Sequence, residues 1–228
     1  MTIQISGSFP HPLYRGFDQE KHARSFLEEG SFFMRHLICY QNIEDPKRKD
    51  EDEGKGKCDY WMKDRPRVRI GKESGQILSC GVNPGLVHFH TQSLNPCYIL
   101  CFHGPKVELD YLACQNRPYV VRVDKPDMLV CDIAAYLSGC HSLPNEMWLE
   151  CVQVRYDRDQ CVVRLPEPAT QERLGMSYGQ KSPKSSGDCE YRLVLTLPLT
   201  TPNPPQEIEI KLGKRLEYTE VVNLPTGN

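Results

Sequence analysis

The acidic side chain of Glu190 opens an apolar, strand-like run that extends from Tyr191 to Leu197. An ionised side chain that is taken out of water is costly unless it is paired. The simplest interpretation is an ion pair at the strand end with Arg192 or with a nearby lysine. The alternative is chemistry, because an ionised carboxylate can stabilise an oxocarbenium-like transition state, as in glycoside hydrolysis.

A second candidate group lies near the N-terminus, in the segment Leu13-Tyr14-Arg15-Gly16-Phe17. The guanidinium fork of Arg15 is always charged and suits a pyrophosphate better than a lysine does. Gly16 has no side chain, so a ligand could approach the backbone closely at this position. The segment therefore has the composition of an anion-binding strand end.

The elements that would position these residues follow from the spacing of apolar residues. Asp18 is the expected N-cap of a helix over residues 18–29, which Gly30 ends as a C′ glycine. Residues 31–40 contain aromatic and branched side chains with no breaker and predict a mostly buried strand. The order is a strand with Arg15, a short helix, Gly30 and a second strand.

This order, closed much later by a strand-borne Glu190, resembles the ADP-ribosyltransferase superfamily and, within it, the compact bacterial toxins of the DarT type. The resemblance is one of arrangement and covers residues 1–60 and the strand at 188–198. It implies a strand-rich α+β fold with a split sheet, NAD as co-substrate and a catalytic role for Glu190.

The resemblance also implies roles for residues of the N-terminal part. Arg15 and Gly16 would bind the NAD pyrophosphate, and Tyr14 and Tyr40 would lie beside the nicotinamide. DarT-type enzymes place a functional arginine after the second strand. Arg48 is the first arginine of that segment here and is therefore a second catalytic candidate.

The stretch of residues 166–187 is too long for an ordinary connection, and loops of this length are usually functional or disordered. In ADP-ribosyltransferases the loop before the catalytic glutamate recognises the acceptor. This stretch offers three cations for phosphates and one ring for base stacking: Arg173, Lys181, Lys184 and Tyr178. Nucleic acid is thus slightly favoured over protein as the acceptor.

Between residues 65 and 156, short apolar runs alternate with turn residues at hairpin-like spacing, which indicates strands. A helix over residues 127–138, capped by Asp127, interrupts them. Residues 150–156 and 161–165 are predicted to form a hairpin. The chain is therefore expected to be one strand-dominated α+β domain over residues 1–228.

Composition and charge limit the partners and the compartment that can be expected. The 228 residues carry a formal net charge of −2, so no global basic field attracts nucleic acid and any such contact is local. The 11 cysteines lie in apolar settings without a signal peptide ahead of them, which favours reduced thiols in the cytoplasm. No stretch approaches the ~20 apolar residues that a membrane span needs, so no membrane partner is expected.

Other chemistries fit less well. A zinc site would draw on His88, His90, Cys97, Cys101 and His103, but their spacing lacks the close pairs of structural zinc sites, and no metal is expected. Cys140-His141 follows a helix C-terminus, where the dipole raises the pKa of a thiol. Neither the Walker pattern nor the dinucleotide Gly-x-Gly-x-x-Gly occurs.

The sequence thus predicts a mono-ADP-ribosyltransferase, a toxin or antiphage defence effector that transfers ADP-ribose from NAD to a macromolecule, with an antitoxin as a candidate partner. Two alternatives stay open: an enzyme that modifies protein, and a non-catalytic binding or regulatory module of the same fold. The enzyme is favoured if Arg15 and Glu190 line one cleft, and it is not favoured if they lie on opposite faces.

Overall fold

The computed structural model describes residues 2–42, 95–157 and 178–222, and five further strands at 55–62, 67–71, 77–81, 85–92 and 162–164. For those five strands and for residues 41–42 only the backbone is described. Arg48 and Arg173, two candidate site residues, lie outside the described residues.

Three short α-helices are described: α1 Glu20–Arg24, α2 Leu109–Cys114 and α3 Pro126–Ser138. A π-helical turn, Ser25–Glu29, continues α1, and 3-10 turns cover Leu37–Asn42 and Pro183–Asp188. The strands are β1 Thr2–Ser6, β2 Leu13–Phe17, β3 Ser31–His36, β4 Lys55–Met62, β5 Arg67–Gly71, β6 Ile77–Gly81, β7 Gly85–Gln92, β8 Cys97–His103, β9 Tyr119–Val123, β10 Glu146–Gln153, β11 Val162–Arg164, β12 Glu190–Thr196, β13 Glu207–Lys211 and β14 Thr219–Val222.

Nine of the described strands form one mixed sheet in the order β1-β10-β12-β8-β2-β9-β14, with β3 and β13 branching from β8. Only β1 and β10 in this sheet are parallel. Separately, β4 pairs with β7 and β11, and β5 pairs with β6. The strand-rich, mixed α+β class expected from the sequence is confirmed.

The sheet splits along one edge of β8. Near its start β8 pairs with β3, through Ile99 opposite Arg35, whereas at its end it pairs with β2, through His103 opposite Tyr14. Its other edge pairs with β12 along its whole length. Cys101 therefore lies where the neighbouring strand changes from β3 to β2.

The two faces of β8 belong to different core clusters. Tyr98, Leu100 and Phe102 lie in the larger cluster, which α3 covers, while Ile99 lies in a smaller cluster against which Cys101 packs. The side chains of β12 alternate between the same two faces, because successive side chains of a strand point to opposite faces. Glu190, Arg192 and Val194 thus share the face of the smaller cluster.

Two predicted elements need correction. The predicted strand over residues 31–40 ends at His36, and the chain continues as the 3-10 turn Leu37–Asn42, which places Leu37 and Tyr40 against the smaller cluster. The predicted hairpin of residues 150–156 with 161–165 is wrong, since β10 pairs with β12 and β11 pairs with β4. Apolar pattern identifies strands but does not determine their partners.

The predicted helix boundaries are close to those observed. Residues 20–29 are helical, but Gln19 rather than Asp18 is the N-cap, because the Asp18 carboxylate binds the ring of His22. Lys125 rather than Asp127 precedes α3. Among the described helices, none has both the length and the apolar character to cross a membrane.

Gly30 supports a first prediction, because it ends the π-helical turn in the left-handed region, with φ 59°. A Cβ at this position would lie 2.8 Å from the Cβ of Leu212. We expect Gly30→Ala to lower the free energy of unfolding by more than about 1 kcal/mol in urea titrations. Gly139→Ala is the matched control, since Gly139 has φ −86° and ordinary contacts. Equal effects at both glycines would contradict the prediction.

Candidate functional site

The carboxylate of Glu190 is buried and held by two cations. Its Oε1 accepts a hydrogen bond from Arg192 Nε at 2.6 Å, and its Oε2 accepts one from Lys181 Nζ at 2.6 Å. The side chains of Glu190 and Arg192 are 4% and 1% exposed, and that of Lys181 is 15% exposed. The simplest interpretation of the sequence, an ion pair, is thus present, but it is buried rather than at the surface.

The charge state of Glu190 follows from this environment. Burial by itself raises the pKa of the carboxyl group, but the charges of Arg192 and Lys181 and their hydrogen bonds outweigh burial and hold the pKa well below its usual range. The carboxylate is therefore ionised at neutral pH. Its backbone N–H donates to the hydroxyl of Tyr156 at 2.7 Å, which fixes the start of β12.

Asp188, two residues before Glu190, joins the strand end to its surroundings. Its Oδ1 accepts from the hydroxyl of Tyr111 at 3.2 Å, its Oδ2 lies 3.6 Å from Lys181 Nζ, and its carbonyl accepts from His103 Nδ1 at 2.7 Å. The 3-10 turn Pro183–Asp188 is thereby attached to the end of β8 and to α2.

Cys101 and Tyr40 lie beside Glu190 on the same face of the sheet. The Cys101 thiol hydrogen-bonds the Glu190 carboxylate, and burial together with that carboxylate raises the pKa of the thiol to about 12. Burial also raises the pKa of Tyr40, whose phenol lies within electrostatic range of both Glu190 and Arg15. The thiol is therefore protonated at neutral pH and acts as a hydrogen-bond donor.

Arg15 reaches the split from the opposite face. Its Nη1 donates to the Cys101 carbonyl at 3.0 Å, and its guanidinium lies 5.3 to 5.7 Å from the ring centres of Phe17, Phe26 and Phe102. Its Nε is buried and has no hydrogen-bond partner in the described part of the chain. Arg15 and Glu190 thus meet at the same residue, Arg15 at the carbonyl of Cys101 and Glu190 at its thiol, but their side chains lie on opposite faces of the sheet. Of the two arrangements considered from the sequence, this is the one that does not favour the enzyme.

Two further residues predicted to bind NAD, Tyr14 and Gly16, have different surroundings. Tyr14 is half-buried and packs in a small cluster with Tyr111 and Cys189. The space above Gly16 is occupied by the side chain of Arg117, to whose Cβ an added Cβ would approach within 2.8 Å. Gly16 therefore admits a protein side chain, where the sequence suggested a ligand.

The three described residues predicted for the acceptor differ in exposure. Lys181 is directed at Glu190 and Asp188, in ion pairs that the sequence did not assign to it. Tyr178 is half-buried, its hydroxyl donates to Glu150 at 2.6 Å, and its ring packs against the smaller cluster. Lys184 is exposed.

Several site residues had no sequence signal for their role. Arg117 and Asp188 belong to turns, and His103 was noticed only as a metal-ligand type, whereas its ring contacts Asp188 and Arg117. The alternation of Glu190 and Arg192 was the one usable signal, because residues two apart on a strand share a face. Comparisons with family models, with curated proteins and with solved structures give no match for this chain.

The buried ion pairs support a second prediction. Glu190→Gln leaves Lys181 and Arg192 without their carboxylate, so we expect it to cost about 3–5 kcal/mol of unfolding free energy near neutral pH. Glu190 has a depressed pKa when folded and an ordinary value of 4.5 as reference, so its contribution is full above the unfolded pKa and is lost as the pH falls toward the folded pKa.

Urea unfolding of wild type and Glu190→Gln at several pH values between about 7 and 3 measures this contribution. The difference between them should shrink below about pH 4.5, by up to ~1.4 kcal/mol per pH unit. Glu146→Gln, at an exposed position of β10, is the control. A difference that stays constant with pH would mean that the charge of Glu190 is not what stabilises the fold.

Proposed function

We propose that this protein is an NAD-dependent mono-ADP-ribosyltransferase that modifies a macromolecule. One observation carries the proposal. Arg15 and Glu190 are 175 positions apart in the sequence, yet both contact Cys101 at the split of the sheet, one from each face, and the Tyr40 phenol lies within electrostatic range of both. These are the residue types that NAD cleavage requires: a cation for the pyrophosphate, a carboxylate for the ribose and an aromatic ring.

In this proposal Glu190 acts through its charge. Breaking the nicotinamide–ribose bond develops positive charge on the sugar, which an ionised carboxylate stabilises without a proton transfer. Arg192 and Lys181 keep that carboxylate ionised. Lys181 is the more exposed of the two cations, and its Nζ must leave Oε2 for that oxygen to reach a ribose.

The non-catalytic binding module stays a second candidate, because Arg15 and Glu190 approach Cys101 from opposite faces of the sheet and because the same ion pairs favour it. Both carboxylate oxygens of Glu190 are occupied, one by the buried Arg192 and the other by the partly buried Lys181, as in a purely structural network. The two candidates differ in one measurable respect: the enzyme releases nicotinamide from NAD, and the module does not.

A third prediction tests the enzyme. We expect Glu190→Gln to lower the release of nicotinamide from NAD by at least ~100-fold, equivalent to about 2.7 kcal/mol in the barrier, because the variant cannot stabilise the oxocarbenium charge. Since this variant is also expected to be less stable, Glu190→Asp accompanies it: the aspartate retains the charge for Lys181 and Arg192 but holds it farther from a ribose.

Release of nicotinamide is followed chromatographically, at a temperature at which circular dichroism shows each variant folded. Glu146→Gln, an exposed carboxylate on β10, should have wild-type turnover. If wild type releases no nicotinamide with RNA, DNA and protein pools present, the enzyme is ruled out in favour of the module. Unchanged turnover in Glu190→Gln would assign Glu190 to structure alone.

A fourth prediction concerns the acceptor, for which nucleic acid is proposed ahead of protein. Replacing Arg173 and Lys184 together by Gln should weaken binding of an oligonucleotide and flatten its salt dependence by up to about two counterions. Lys181 is left intact because it neutralises Glu190. Lys125→Gln, at the exposed start of α3, serves as the control. If the salt dependence of oligonucleotide binding is unaltered and ADP-ribose label appears only on polypeptide, the acceptor is protein.

A further inference from the structure

Glu190 is neutralised by two cations that are held in different ways. Arg192 lies two residues farther along β12, and its side chain is 1% exposed. Lys181 is carried by the preceding segment, residues 178–188, and its side chain is 15% exposed. The guanidinium is therefore enclosed within the protein, whereas the ammonium reaches the carboxylate from a position that water also reaches.

The carboxylate does not depend on Lys181 for its position. Arg192 Nε holds Oε1 of Glu190 at 2.6 Å, and the backbone N–H of Glu190 donates to the Tyr156 hydroxyl at 2.7 Å. Strand β12 is paired on both sides, with β10 and with β8. If Lys181 leaves, Oε2 loses its ammonium partner, while the carboxylate stays in place and Arg192 keeps it ionised.

Lys181 can exchange its partner by moving its side chain alone. Its backbone N–H donates to the Arg155 carbonyl at 2.8 Å, and the neighbouring Gln180 forms a β-bridge with Arg155. Gln180 Nε2 also donates to Asp157 at 2.8 Å. The ammonium is a compact charge on a flexible four-carbon stem, which can point in several directions from a fixed backbone. A change of partner at Lys181 therefore leaves the segment in place.

An ammonium that leaves two carboxylates requires another anion. Lys181 Nζ lies 2.6 Å from Glu190 Oε2 and 3.6 Å from Asp188 Oδ2. A phosphate oxygen replaces them with a charge-assisted hydrogen bond of the same kind. Lys184, three residues farther along the same segment, is exposed. Because phosphates repeat along a nucleic-acid strand, a strand bound at Lys184 presents further phosphates to this segment.

We infer that Lys181 is a switch between Glu190 and the nucleic-acid acceptor. In the free protein the ammonium occupies Oε2 of Glu190, and a phosphate of the bound acceptor draws it away, which frees that oxygen for a ribose. Cleavage of NAD is then coupled to the presence of the acceptor. The inference rests on the proposed function for the use that is made of Oε2, whereas the coupling between a phosphate and Glu190 is a binding property that is measured separately.

Fluorescence anisotropy with the whole protein measures this coupling. Labelled single-stranded RNA and DNA oligonucleotides of about 12 nucleotides are titrated at several salt concentrations. Lys181→Met, which removes the charge but keeps an unbranched stem, should weaken binding and make the slope of log K against log salt less steep by about 0.7, the value for one phosphate contact on a single strand. Lys125→Met, at the exposed start of α3, is the matched control and should keep the wild-type slope.

Coupling between two sites is reciprocal, so a change at Glu190 must alter binding of the oligonucleotide. In Glu190→Gln the ammonium has lost its carboxylate, and we expect binding to tighten by about fivefold or more. The double variant Glu190→Gln/Lys181→Met should lose this gain. Glu146→Gln removes the same charge from an exposed position of β10, where salt screens it, and should gain less than about twofold. Circular dichroism selects a temperature at which each variant is folded, and the salt slope of Lys181→Met decides if Glu190→Gln does not fold.

Release of nicotinamide from NAD reports on the freed oxygen. Wild type should release it at least about tenfold faster with a saturating oligonucleotide than without it. Lys181→Met should release it at one rate in both cases, above the acceptor-free rate of wild type. Without an acceptor, water adds to the ribose carbon that nicotinamide leaves, and a proton of that water passes to the solvent.

The switch is overturned if wild type binds neither oligonucleotide, if Lys181→Met keeps the wild-type salt slope, or if folded Glu190→Gln binds no more tightly than Glu146→Gln does. The proposed enzyme fails separately. Reciprocal coupling without nicotinamide release by any variant leaves Lys181 coupled to phosphate and removes the transferase. Nicotinamide release by wild type at the same rate with and without the oligonucleotide leaves the transferase and removes the switch.

Discussion

A buried negative charge at the start of β12 is the constraint on which the rest of the site depends. An ionised carboxylate can be buried only if it is neutralised and hydrogen-bonded, and Glu190 is neutralised by Arg192 and Lys181. Arg192 comes with the strand itself, but Lys181 has to be brought from the preceding loop. The conformation of that loop is therefore tied to the charge of one residue.

The loop is held by backbone as well as by charge. The N–H of Lys181 donates to the carbonyl of Arg155, the N–H of Arg155 donates to the carbonyl of Gly179, and Arg192 Nη1 donates to the carbonyl of Tyr178. Asp188 adds contacts to Tyr111 and His103. The sequence presents this segment as polar and irregular. Its residues 178–188 are nevertheless attached to β8, β12 and α2.

The split of the sheet positions the positively charged side of the site. Where β3 and β2 diverge along β8, the Cys101 carbonyl has a side chain rather than a strand as its partner, and Arg15 supplies the donor. On β2, the absence of a side chain at Gly16 leaves room for the side chain of Arg117. Positive charge from Arg15 and Arg117 and negative charge from Glu190 therefore meet around one short stretch of β8, between Cys101 and His103.

The sequence by itself determined the class of fold, the helix that Gly30 ends, and the strand that begins at Glu190, because these depend on periodicity and on residues with strong local preferences. It also determined that Glu190 and Arg192 share a face. Only the tertiary structure decided that β12 lies between β10 and β8, that Lys181 faces inward, and that Arg117 packs over Gly16. Strand pairing and long-range ion pairs depend on which surfaces are buried together, and a local sequence pattern does not specify which surfaces these are.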